Sequence, residues 1–231
     1  MEIKDVIVII ISGAAIIISL VSLIVTFIQK GKETKRTIRK SLTDTLENIS
    51  RINLETAKLS STSKNIEDII RLKRNYNSQK RLLISNADFL IHNYDKLVTE
   101  IDCCLLASSY FSIGDQEKAE YYWEETIAKS ISLPIRHMNL RGYGIFFFEN
   151  GEVTKGRQKF EEALNLKLTS NDTNNMMISD TYIMLAELEH DCKNNKNYND
   201  CLTNAMTTSA KVLNVKRKGE MQQRIRTRLP K

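Results

Sequence analysis

The 231-residue sequence is poor in helix breakers, with eight glycines and two prolines. So few breakers exclude a turn-dense β architecture, and the long periodic stretches between them favour an all-helical body. Aromatic residues make up 7% of the chain, with one tryptophan, and none are interleaved with the basic run at the C-terminal end, which argues against base stacking on nucleic acid. The four cysteines, Cys103, Cys104, Cys192 and Cys201, show no CxxC spacing. Adjacent Cys103 and Cys104 would point in different directions from a helix, and His190 near Cys192 has no accompanying pair, so buried thiols are expected in place of disulfides or a zinc site. There is no phosphate-binding glycine loop, no GxSxG elbow and no HExxH, and His92, His137 and His190 stand without neighbours at ligand or triad spacing. These absences lead to the expectation of a non-enzyme with no catalytic residues, no cofactor and no metal.

What is present begins with residues 6–28, 23 residues without a charge, dominated by Ile, Val, Leu and Ala. A helix of that length reaches roughly 35 Å, against about 30 Å for the hydrocarbon core of a bilayer. The run ends Thr26-Phe27-Ile28-Gln29, which is no signal-peptide cleavage site, so a retained single-pass transmembrane helix is expected. Only Glu2, Lys4 and Asp5 precede it, whereas Lys30, Lys32, Lys35, Arg36, Arg39 and Lys40 follow. That asymmetry predicts the N-terminus outside and the C-terminal domain cytoplasmic at the plasma (cell inner) membrane, with residues 30–40 close to anionic lipid. Within the run, Ser12, Ala15, Ser19, Ser22 and Thr26 recur at spacings of three and four. They form one small-residue stripe, a face on which two such helices could associate into a homo-oligomer.

Charge is concentrated at two places. Residues 30–40 hold six basic residues and one acidic, and residues 216–231 seven and one; the body from 41 to 215 is left net acidic. The seam Ile38, Leu42, Leu46, Ile49, Ile52 and Leu59 suits an amphipathic stalk or short coiled coil. The predicted organisation is a transmembrane helix at 6–28, a basic segment and helical stalk at 29–64, a lead-in helical pair at 65–100, a repeat domain at 101–215 and a basic tail at 216–231. Solvated disorder is the expectation for the tail, with anionic lipid and then nucleic acid as its alternative partners.

The informative stretch runs from about residue 100 to 210. Leu106-Ala107, Tyr110, Gly114, Ala119 and Trp123 are followed about forty residues on by Tyr143-Gly144, Phe147, Gly151, Gly156, Phe160 and Ala163 at matching offsets. Each unit reads as a helix, a glycine turn and a second helix packed back on the first, with the glycine supplying a left-handed exit. A weaker third copy holds Leu185, Ala186, Leu202 and Ala205 but has no glycine between residues 192 and 200. These residues resemble the tetratricopeptide repeat, whose unit is about 34 residues; Ala119 to Gly156 is 37, and Thr126 stands where the family's last Ala would be.

The resemblance implies an all-α solenoid of antiparallel hairpins whose first helices line a groove for a peptide or helix of another protein. Its groove positions fall on Cys104, Ser108 and Phe111, then Arg141, Ile145 and Phe148, then Asp180, Ile183, Glu187 and His190. Phe111 and Phe148 with Arg141 favour an apolar or acidic segment. The expected function is a membrane-anchored domain that binds or scaffolds a protein partner. The alternatives are a nucleic-acid- or anionic-lipid-binding regulator acting through the basic tail, and a structural membrane oligomer.

Overall fold

The computed structural model describes the backbone of residues 3–62 and 66–228, and most side chains from residue 23 onward. Among the described residues the chain is all-α, with nine helices, one short 3-10 turn and no strand. It divides into two compact units, residues 1–119 and 120–231.

In the first unit α1 (Ile3–Thr62) packs on α2 (Ile66–Asn93). Leu42, Leu46, Ile49 and Ile52 of α1 are buried, as are Ile84, Ala87 and Ile91 of α2; these spacings of three and four give each helix one apolar stripe. Asn86 Nδ2 donates across the pair to Thr45 Oγ1 at 3.2 Å. The segment read as a stalk is therefore half of a helical hairpin, and the lead-in pair is a single helix followed by the 3-10 turn Asp95–Leu97. Periodicity had located the apolar seam, but the surface covering it comes from distant sequence. Lys80 is buried and ties three helices, donating to Asn53 Oδ1 at 3.0 Å and Ser112 Oγ at 3.1 Å. Helix α3 (Glu100–Ser112) opens with a capping box between Thr99 and Asp102. The Asp102 carboxylate also holds Arg39 of α1, so this member of the basic cluster is engaged within the unit.

The expected membrane anchor has to be corrected. Among the described residues no helix is long and apolar enough to cross a membrane, which overturns the single-pass topology, the outside N-terminus and the inner-membrane location. The run 6–28 is no separate span: it is the front of α1, which continues unbroken through the charges at 30–40 to Thr62. The side chains of Ser12, Ala15, Ser19 and Ser22 lie outside the described residues, while Thr26 is exposed.

Helix α4 (Gln116–Ala128) leads into the second unit, which holds α5 (Leu133–Glu149), α6 (Val153–Leu164), α7 (Asp172–Asp191), α8 (Asn195–Ala210) and α9 (Val215–Arg226). α5 pairs with α6 and α7 with α8. Ser132 caps α5, and Asn171, Asn194 and Asn214 cap α7, α8 and α9 through their side chains, supplying acceptors to backbone N–H groups that lack partners in the first turn.

The same turn follows α3, α5 and α7. Gly114, Gly151 and Lys193 take positive φ, at 82°, 78° and 59°. The N–H groups of Gly114 and Asp115 return to Phe111 and Tyr110, those of Gly151 and Glu152 to Phe148 and Phe147, and those of Lys193 and Asn194 to His190 and Glu189. This is the same two-bond Schellman closure each time. The third hairpin, whose turn lacks glycine in the sequence, forms with Lys193 in the left-handed position. The basic tail also departs from expectation: it forms α9, which buries Met221 and Ile225 in the α7–α8 core with Ile183, Ala186, Leu202 and Ala205.

Candidate functional site

In the second unit the sequence-predicted positions converge on one stripe of α7. Asp180, Ile183 and Glu187 are spaced three and four apart, which aligns them on one helical face. Arg141 of α5, largely buried, reaches Asp180 Oδ2 at 3.2 Å and donates to Thr181 Oγ1 at 3.4 Å. The other oxygen of Asp180 accepts from Arg224 of α9 at 2.5 Å. Seven residues along α7, Glu187 accepts from Arg228 at 2.6 Å. Between these two acids Ile183 is fully buried in the cluster that contains Met221 and Ile225.

The entry to α9 is held separately. The Asp172 carboxylate, in the first turn of α7, accepts from the backbone N–H groups of Leu213 at 2.7 Å and Asn214 at 2.9 Å. Those two bonds hold its carboxyl below the usual carboxylate range. At the far end the Tyr198 hydroxyl donates to the Arg228 carbonyl, and the His190 ring lies 5.3 Å from that of Tyr198.

The remaining predicted positions are distributed as follows. Ile145 is half-buried on α5, and Glu187 and His190 are exposed on α7. Phe148 is buried inside the α5–α6 hairpin, edge-on to Phe160 at 6.0 Å, so its ring packs the hairpin core. Ser108 is exposed, and Cys104 and Phe111 are half-buried, on α3 of the first unit; burial pushes the Cys104 thiol up. Met221, Arg224, Ile225 and Arg228 escaped sequence reasoning. Their signal was present in the tail as two interleaved pairs four residues apart, one apolar and one basic.

Two buried polar links set the frame behind this face. Neutral His137 of α5 is fully buried, with Nδ1 2.9 Å from the Ala163 carbonyl and Nε2 2.8 Å from Thr181 Oγ1; the carbonyl places the proton on Nδ1. Arg157 of α6 forms a bidentate pair with buried Glu189 of α7 at 2.6 and 2.8 Å. In the first unit a separate cleft of about 670 Å³ is lined by half-buried Ile38 and Leu97 and by exposed Lys35, His92 and Lys96; these groups make no converging set. Among the described residues no cluster of His, Cys, Asp and Glu could hold a metal ion.

Compared with known proteins, the chain matches no family model, no curated protein and no solved structure. The likeness to tetratricopeptide repeats accordingly rests on the sequence residues quoted above alone.

Proposed function

We propose that the chain is a non-catalytic protein-binding module whose helical hairpins hold or scaffold a segment of another protein, as the tetratricopeptide resemblance implies. The observation that carries this reading is the pairing of Arg141 with Asp180 between the first helices of successive hairpins. It sets a half-buried charged pair beside Ile145, and such polar groups at an apolar edge orient a bound segment while the apolar area supplies affinity.

A polyanion-binding role for residues 216–231 is less favoured, because Arg224 and Arg228 are engaged by acids of α7. Without the anchor, the structural membrane oligomer has no support.

The test is crosslinking with mass spectrometry in the native cell, comparing the full chain with Arg141→Glu. A partner protein crosslinked to α5 or α7 and reduced in the variant, with helicity unchanged, is the expected result. Capture of the same proteins by both chains, or crosslinks only within the chain, would overturn the reading.

A further inference from the structure

We propose that α9 is a built-in occupant of the α7 face and that the partner taken there is a basic amphipathic helix patterned like α9, which must displace it. This rests on the protein-binding reading above and specifies the partner's class.

Three of the four positions that the resemblance assigns to a partner on α7 meet α9 and the turn that ends it. Asp180 holds Arg224 and Glu187 holds Arg228, while Ile183 between them packs in one cluster with Met221 and Ile225. An acid–apolar–acid stripe is thus met by a helix with apolar residues four apart and by arginines four apart, Arg224 on the helix and Arg228 in the turn that ends it. Because the lower-numbered arginine meets the lower-numbered acid, α9 runs in the same direction as α7. The complementarity is of charge as well as apolar pattern, and it disfavours the acidic segment that Arg141 alone suggested: Asp180 already neutralises Arg141, and Glu187 leaves the stripe net acidic.

The attachment of α9 is also light. Met221 and Ile225 are its buried residues, and Arg224 and Arg228 keep 43% and 30% of their side chains exposed. Exposed ion pairs contribute little and are screened by salt, so α9 belongs to the part of the fold that opens first. Its hinge is fixed on the protein side by Asp172, which holds the Leu213 and Asn214 N–H groups, so α9 can lift without unravelling α8. A face occupied in cis binds a competitor with an apparent affinity reduced by the fraction of chains in which the face is open.

The experiment uses the full chain and a fluorescent synthetic peptide with the sequence of residues 214–228. Arg224→Glu with Arg228→Glu sets like charges against Asp180 and Glu187 and lifts α9 without touching the core. This variant is expected to bind the peptide about tenfold or more tightly than wild type, and to lose that gain when Asp180→Lys is added. Ile225→Ser, which lifts α9 from its apolar side, should behave likewise. In wild type, hydrogen exchange of the α9 amides should quicken with added salt before that of α8. No gain in peptide binding by either lifted chain, with circular dichroism showing the other helices intact, overturns the proposal; so does a gain indifferent to Asp180→Lys. The two readings fail separately. A native partner crosslinked to α5 or α7 with no peptide gain removes only the role of α9, whereas the expected peptide gain with no native partner removes the protein-binding function and leaves the chemistry of the face intact.

Discussion

Gly144 and Gly156 face each other across the α5–α6 hairpin so closely that neither position has room for a side chain. A Cβ at 144 would lie 2.6 Å from Phe160 Cδ2, and one at 156 would lie 2.5 Å from Phe148 Cδ2. The two rings fill the space that the missing side chains leave, and Phe160 is fully buried with nowhere to retreat. Gly144→Ala gains about 1 kcal/mol of helix propensity but forces this contact apart at about 1–3 kcal/mol. Urea unfolding should therefore show a net loss, and Phe160→Leu should recover part of it. An unchanged midpoint for Gly144→Ala would mean the helices lie further apart than described.

Lys193 occupies at φ 59° the position that Gly114 and Gly151 fill in the other turns. The left-handed conformation costs a residue with a side chain about 1–2 kcal/mol, partly offset on replacement by the greater freedom of unfolded glycine. Lys193→Gly is expected to raise stability by up to about 1 kcal/mol, and Gly151→Ala to lower it by about 1–2 kcal/mol. Thermal melts of the two variants should move in opposite directions.

The Arg157–Glu189 pair joins α6 to α7 with one partner buried and the other 39% exposed. Burial alone would raise the Glu189 carboxyl, but the bond and charge of Arg157, with Asn197 and Asn194, hold it below the ordinary range. Arg157→Met leaves a buried carboxylate without its cation. That loss is about 3–5 kcal/mol for a fully enclosed pair, and water reaching the Arg157 side brings the expected cost here nearer to about 2 kcal/mol. Adding Glu189→Gln should restore much of it, a coupling measurable by a double-mutant cycle.

His137 makes stability depend on pH. Burial lowers its pKa, more than the Ala163 carbonyl raises it, and Arg141 adds to the lowering. The unfolded chain, with a His pKa of about 6.5, takes up the proton first on acidification. The stabilisation is therefore complete above about pH 6.5 and is lost as pH falls through the lowered folded value. Glu189, also lowered, adds a second loss below about pH 4.3 by the same sign. Melting temperature should decline between pH 7 and 5, and His137→Gln should flatten that decline. A slope that is the same in His137→Gln would assign it to other groups.

Much of the fold was legible because it depends on local chemistry. Gly114 and Gly151 marked turns because a left-handed exit disfavours side chains, and Gly156 with Phe160 marked a close helix contact because small and large residues must alternate there. The third turn was not legible, since Lys193 carries no turn signal; two closing bonds and the Asn194 cap hold it in place. Arg141, Asp180 and Glu187 were named from the repeat resemblance; the four-residue spacing of Arg224 and Arg228 marks a helical face but does not say which acids that face meets.

The amino-acid sequence by itself determined that this protein is helical, where two of its glycine turns fall and which faces are apolar, because propensity and periodicity act within a few residues. Tertiary structure alone decided what covers those faces. The seam read as a stalk packs on α2, the run read as an anchor is the front of α1, and the tail read as disordered lies on the α7–α8 hairpin. An apolar stripe requires burial without specifying by what, and that choice is made only when distant segments compete for the same surface.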